Sequence, residues 1–145
     1  MSVIYNEFKR ASAAAEIDLN ADDIRAILVM VNTTAGTEND GKVFVSDLTT
    51  LDECDATGYT RQALAAEAVN KDDANDRASF DADDAVFSSL GGDASRNYVG
   101  VVLYKHVGVD TANPLIAYIE FTTPITSAAT QVTIPWDPSG ILLFT

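Results

Sequence analysis

RASFDADDAVF, residues 77–87, is the stretch of sequence that decides the fold class. Between Arg77 and Asp83, apolar and polar side chains alternate with a period of two residues. Successive side chains of a β-strand point to opposite faces, so this period predicts a strand that is half buried. The residues predicted to face the core are Ala78, Phe80 and Ala82, and those predicted to face water are Arg77, Ser79, Asp81 and Asp83.

The alternation slips at Asp83-Asp84, and AVFSSL continues in a new register. A slip of one residue turns every following side chain to the other face of a sheet. We therefore predict either a β-bulge at this point or a strand that changes its partner.

Other segments on either side of this stretch also have β character. Ile24–Asn32 is apolar on both faces and rich in β-branched residues, which is typical of a central strand covered on two sides. Turn residues separate the runs, which recur about every ten residues, as in antiparallel sandwiches and barrels. The further predicted strands are Tyr98–Gly108, Leu115–Thr123, Val132–Trp136 and Ile141–Thr145.

These patterns together predict an all-β protein, an antiparallel β-sandwich or barrel with a short N-terminal helix or arm. Ile4–Ile17 reads as the helix, because it is rich in alanine. The 145 residues fit a single domain. We divide the chain into an N-terminal arm or helix, residues 1–18, and one β-sandwich domain, residues 19–145.

Two parts of the chain are harder to interpret. A short strand at Val43–Val45 and one helical turn near Leu48–Glu53 are predicted on weak patterns. Gln62–Ala68 consists of good helix formers but has no polar face, so its period does not choose between helix and strand.

Charge excludes several classes of function. The formal net charge is −13, from 9 Lys and Arg against 22 Asp and Glu. Such a field repels nucleic acid and anionic membrane surfaces, so neither is expected as a partner. No apolar signal segment or membrane span is found, which predicts synthesis in a cytoplasm without classical secretion. The single cysteine, Cys54, is expected to be a small buried filler.

Catalytic and metal-binding motifs are weak. One histidine, His106, at the end of a predicted strand does not support a catalytic triad, and we expect no enzyme activity and no cofactor. DDANDRASFDADD carries oxygen ligands of the kind Ca²⁺ prefers, but Arg77 stands where an EF-hand loop needs a ligand. The weak candidates for Ca²⁺ that remain are the loop residues Asp72, Asp73 and Asp76.

Aromatic residues offer one further hypothesis, a platform for sugar rings. The candidates are Tyr98, Tyr104, Tyr118 and Trp136. The competing interpretation places those on apolar faces in the core, with Tyr104 and Tyr118 at an interface or rim.

Several segments in this order resemble a widespread family of small virion proteins of tailed bacteriophages and prophages. NDRASFDADD, PLIAYIEF and WDPSGIL carry the resemblance most specifically, and IYNEFKRASAAAEIDLNADDIRAILV matches more loosely. The resemblance covers nearly the whole chain and implies a structural component without catalysis. A small acidic β-domain with an N-terminal arm is similar to capsid decoration, or cement, proteins, which form trimers on the outer face of the head.

The expected function is therefore capsid decoration by an antiparallel β-sandwich of jelly-roll-like type: a homotrimer, assembled in the host cytoplasm, that binds the major capsid protein on the outer surface of the virion. Ile4, Tyr5 and Phe8 are predicted to anchor the arm on a neighbour, since apolar residues on a marginal helix need a partner surface. Packing of the arm on its own domain is the alternative. Two other functions stay open, a tail, baseplate or head-fibre module and a glycan-binding domain.

Overall fold

The computed structural model describes residues 1–39 and 41–145, and within them the chain folds into short and long strands with one α-helix. Helix α1 spans Asn6–Ala13, and a short 3-10 helix spans Val45–Asp47. The strands are β1 (Val3–Ile4), β2 (Ile24–Met30), β3 (Gln62–Ala63), β4 (Ala68–Asp72), β5 (Arg77–Asp81), β6 (Ala85–Phe87), β7 (Tyr98–Lys105), β8 (Leu115–Ile125), β9 (Val132–Ile134) and β10 (Leu142–Phe144).

The strands form a main sheet and two smaller ones. The main sheet has five strands in the order β1-β8-β7-β2-β3, and the smaller sheets have the orders β10-β5-β4 and β6-β9. Every strand pair is antiparallel. The predicted class, an all-β antiparallel sandwich with a short N-terminal helix, is confirmed.

The main sheet is buried on both of its faces. Alternate residues of its central strands enter two apolar clusters. One cluster is closed by α1 and the two smaller sheets, through residues such as Phe8, Phe80 and Phe87. The other is closed by irregular chain that contributes Val45 and Leu48. Strand β2 is therefore apolar on both faces because it is covered twice, as Ile24–Asn32 predicted.

Between β5 and β6 the chain changes its strand partner. Strand β5 pairs with β4 and β10, whereas β6 pairs with β9. The register slip at Asp83-Asp84 therefore marks a change of partner, one of its two predicted meanings. Phe80 is fully buried, but Arg77 and Asp81 are half buried instead of facing open water, because β5 is the middle strand of its sheet.

The N-terminal segment is part of the domain and does not extend from it as an arm. Strand β1 pairs with β8, so Ile4 belongs to the edge of the main sheet. Helix α1 is shorter than the predicted Ile4–Ile17, because Ile4, the first residue of the predicted helix, belongs to β1. At its end Ala15 has a positive φ of 57° and the Glu16 amide donates to Ala11 O at 2.8 Å, which closes the helix.

Two local predictions were wrong, and one segment that the sequence left open is not helical, because tertiary pairing replaced local propensity. Val43–Val45 is not a strand: Phe44 forms an isolated bridge with Pro114, and the 3-10 helix follows. The helical turn near Leu48–Glu53 is absent from these described residues. Gln62–Ala68 is not a helix, because its first residues pair with β2 and its last begins β4.

Candidate functional site

The predicted arm anchors lie in the core of their own domain. Tyr5 is 0% exposed and Phe8 is 1% exposed, while Ile4 is half buried. The Tyr5 hydroxyl donates to Ala35 O at 2.9 Å, and the ring of Phe8 lies 6.2 Å from that of Phe144. The alternative, packing of the arm on its own domain, describes the structure, so Tyr5 and Phe8 are not available as anchors for a partner.

The three carboxylates suggested for Ca²⁺ do not converge. Asp72 accepts hydrogen bonds from Asn75 at 2.8 Å and from Arg77 at 2.9 Å, and these donors lower its pKa. Asp73 pairs with Lys71, and Asp76 has a left-handed backbone with φ of 54°. Among residues 1–39 and 41–145, no group of three or more His, Cys, Asp or Glu side chains could hold a metal ion.

Cys54 and His106, whose residue types are often catalytic, pack against other residues of the domain. Cys54 is buried, as predicted, and this burial raises the pKa of its thiol, which disfavours the reactive thiolate. His106 follows β7, and its ring lies edge-on to Tyr104 with 6.1 Å between centroids.

Three of the four aromatic residues suggested for a sugar platform are core residues. Tyr98, Tyr104 and Tyr118 are exposed by 0%, 1% and 2%. Burial is the main cause that raises the pKa of Tyr118 to about 12. Only Trp136 is partly exposed. All three tyrosines therefore belong to the core, and the expected position of Tyr104 and Tyr118 at an interface or rim is wrong.

One polar cluster was not predicted from the sequence. The Arg61 guanidinium binds Glu53 at 2.8 Å and Asp110 at 2.6 Å, with two hydrogen bonds to each carboxylate. The Tyr59 hydroxyl also donates to Glu53, and the guanidinium lies 5.3 Å from the centre of the Tyr104 ring. Arg61 is the main cause of the lowered pKa of Asp110. No local motif signals this cluster, because Arg61 and Asp110 lie far apart in sequence.

The same cluster fixes the loop between β7 and β8. Asn113 is fully buried, and its side-chain oxygen accepts hydrogen bonds from the amides of Val107 and Gly108 at 2.8 and 3.1 Å. Its amide group donates to Asp110, which Arg61 holds in place. The cluster therefore has a structural role, since every member ties one segment of the domain to another.

Substitution of Arg61 by Met is expected to destabilise the domain by about 2 kcal/mol, because it leaves two partly buried carboxylates without their cation. The Arg61 side chain is 21% exposed, so water compensates part of the loss. Chemical denaturation measured by circular dichroism gives the value. Arg10 is the matched control, since it also pairs with two carboxylates but is 53% exposed. An equal or larger loss for Arg10→Met would contradict the structural role of the Arg61 cluster.

A wide shallow groove lies at the end of the main sheet where β2 ends and β7 begins. We call it the N-terminal groove and define it by Met1, Val3, Val31, Val99 and Tyr118. Its volume is about 630 Å³. Val31 is 55% exposed and Met1 is 79% exposed, so large apolar side chains here contact solvent.

A second groove lies between the distal half of β8 and the chain that joins β9 to β10. We call it the Trp136 groove, and its volume is about 300 Å³. Both grooves include Glu120, so the two apolar surfaces adjoin. The apolar residues that define the Trp136 groove are Phe121, Ile125, Ile134, Pro135, Trp136 and Ile141.

Most of the positive charge is neutralised within the chain. Eight of the nine Lys and Arg side chains form ion pairs with carboxylates of the described residues. By contrast, Asp83, Asp84 and Asp137 form no ion pair within the described chain, and they lie beside Trp136. The surface near the Trp136 groove therefore combines apolar side chains with an acidic rim of three carboxylates that form no ion pair with the described residues. Of these, Asp137 has a pKa lowered mainly by hydrogen bonds, and it lies near enough to Arg77 for that cation to contribute.

Comparison with protein-family profiles, with curated protein sequences and with solved structures finds no match to this chain. The resemblance to phage virion proteins thus stays a prediction. No helix of the described residues has both the length and the apolar character needed to cross a membrane.

Proposed function

We propose that this protein is a non-enzymatic structural protein of a tailed-phage virion, a capsid decoration protein that binds the major capsid protein on the outside of the head. One observation carries the proposal furthest. Two adjoining apolar grooves lie on an otherwise acidic domain. Exposed apolar surface of this kind is typical of protein–protein contacts, and a negative domain is suited to the outer face of a particle filled with DNA.

The mechanism is thermodynamic. A protein that binds only the assembled capsid adds its binding free energy to the assembled state and so opposes disassembly. Trimerisation on the particle would strengthen attachment, because the second and third contacts form at high effective concentration. With Tyr5 and Phe8 in the core, this attachment must use the outer surface, where the N-terminal groove presents the exposed apolar side chains of Met1 and Val31.

The proposal is tested by cosedimentation of the recombinant protein with expanded capsids that lack it. Val31→Glu places a charge in the N-terminal groove and is expected to weaken binding at least about tenfold, because a charge is costly to bury in an interface. Val109→Glu is the control, since Val109 is 65% exposed and lies in the β7–β8 loop, beyond the other end of the main sheet.

Two results would overturn the decoration role. The first is a protein that stays monomeric at micromolar concentration and does not bind capsids. The second is a copy number of a few or a dozen per particle on a gel of purified virions, which would indicate the alternative position in a tail, baseplate or head fibre. Hundreds of copies are expected for a decoration protein.

A further inference from the structure

We propose that the Trp136 groove binds a polypeptide segment that presents a large apolar side chain flanked by Lys or Arg. Assignment of this segment to the major capsid protein rests on the proposed function. The peptide specificity of the groove does not. Its basis is the shape, lining and charge of the groove itself.

Strand β8 and the chain between β9 and β10 present the apolar side chains of the Trp136 groove. Glu120 of β8 pairs with Gly100 of β7, but the next pair joins Ile125 to Tyr98, so the intervening part of β8 bulges from the ladder. This bulge contributes Phe121 to the groove. A bulge re-aims side chains without loosening the rest of the strand, and here it provides one wall.

Trp136 provides the opposite wall and is held by hydrogen bonds at its edge. Its indole N–H donates to Asp83 O at 2.9 Å, and its backbone amide donates to a carboxylate oxygen of Asp84 at 3.2 Å. These bonds fix the ring to the corner where the chain passes from β5 to β6. A large aromatic residue that is already ordered loses little entropy on binding, which favours its use as an anchor.

The charge around the groove selects the flanking residues of the ligand. Asp83, Asp84 and Asp137 carry no ion pair in the described chain, whereas Glu120 pairs with the ammonium group of Met1. The described lining includes no Lys or Arg. A ligand with Lys or Arg beside its apolar residue therefore meets complementary charge, which favours fast and specific association.

A second copy of this chain is a poor occupant. Eight of its nine Lys and Arg side chains are already engaged in ion pairs, and each copy has a formal charge of −13. A second copy therefore offers few free cations to the acidic rim of this groove. The partner is a different protein with a basic surface segment.

The lining also favours a protein segment over a sugar. Sugar recognition needs several hydrogen-bond donors and acceptors around the ring face, and the Trp136 indole N–H is already used. Six of the twelve described lining residues are Ile, Phe or Pro, and the lining holds no Asn, Gln, Lys or Arg; its polar side chains are Thr122, Thr133, Glu120 and Asp137. An aliphatic lining of this kind suits an apolar side chain.

The chain provides its own optical probe, because Trp136 is its only tryptophan. Three blocked nonapeptides are titrated into the intact protein: GSKKFKKSG, GSEEFEESG and GSKKGKKSG. GSKKFKKSG is expected to produce a saturable change in tryptophan emission and to bind at least about tenfold more tightly than the other two. Its affinity is expected to fall as salt is raised.

Substitution of the rim tests the assignment. The double variant Asp83→Asn with Asp137→Asn keeps side-chain acceptors and is expected to lose most of the affinity for GSKKFKKSG with an unchanged melting temperature. Asp73→Asn removes an exposed carboxylate elsewhere and is expected to bind as the wild type does. Equal binding of the Lys and Glu peptides, no binding of any, or an emission change caused only by oligosaccharides would overturn the proposal.

Capsid cosedimentation then separates this inference from the proposed function. If the wild type binds capsids and the double variant does not, the segment belongs to the capsid. If both bind equally, the groove serves another protein and the capsid assignment is wrong. If the wild type binds the peptide but no capsid, the decoration role fails while the peptide specificity of the groove stands.

Discussion

Deletion of residues 1–15 is expected to unfold the domain. The deletion removes β1 from the edge of the main sheet together with Tyr5 and Phe8, which are both buried in the core. Loss of one large buried aromatic side chain costs about 3–5 kcal/mol, and the total stability of a domain is about 5–15 kcal/mol. The truncated chain should therefore lack near-ultraviolet circular dichroism and a cooperative denaturation transition.

Tyr5→Phe is the conservative comparison, because it removes only the hydroxyl group that donates to Ala35 O. It should cost about 1 kcal/mol and leave the fold intact. A truncated chain with a native spectrum and an unchanged denaturation midpoint would show that the segment is a separable arm. Tyr5 and Phe8 would then become candidates for partner contacts again.

The sequence predicted the fold best where one face or both faces of a strand are buried. The two-sided burial of β2 and the change of partner after β5 both follow from the pattern of apolar residues. The sequence left Gln62–Ala68 open between helix and strand, and the pairing of β3 with β2 excludes the helix that its propensity favours. Local patterns do not report such long-range pairing, which overrides weak propensities.

Only separate residues of the candidate site could be predicted from the sequence, and not their arrangement. The sequence suggests Trp136 for a sugar platform, but its neighbours Phe121 and Ile141 come from separate segments that the fold brings together. The sequence offers two interpretations of the aspartates near residue 83, as metal ligands or as the solvent-facing side of a strand. In the structure the Asp83 carbonyl oxygen accepts from the indole N–H of Trp136 and the Asp84 carboxylate accepts from its backbone amide, and both contacts join distant parts of the chain.

The distribution of charge connects the fold to the proposed interaction. Cations such as Arg61 and Arg96 are held by carboxylates that join distant segments, Glu53 and Asp110 for the first and Asp52 for the second. Because the positive groups serve the fold, the excess negative charge is left on the outer surface. The net charge therefore constrains the partner, which must supply the cations at any tight contact.

Phe80→Ala is expected to destabilise the domain by about 3–5 kcal/mol, because it empties a fully buried site in the middle strand of the β10-β5-β4 sheet. Phe80 pairs with Leu142 on one side and Val69 on the other, so the loss affects both neighbours. In urea the denaturation midpoint should fall by roughly 2 M, given the usual dependence of stability on denaturant for small domains.

Asp81→Asn is the matched control one position along the same strand. The Asp81 side chain accepts a hydrogen bond from the Ala82 amide, and an asparagine oxygen can accept the same bond, so stability should change by less than about 0.5 kcal/mol. The pair tests the alternation from which the fold class was predicted, since the two residues lie on opposite faces of β5. Similar losses at Phe80 and Asp81 would mean that the strand is not divided into a core face and an outer face. In that case the slip at Asp83-Asp84 would lose its meaning as a change of partner, and the position of the acidic rim beside Trp136 would need another explanation.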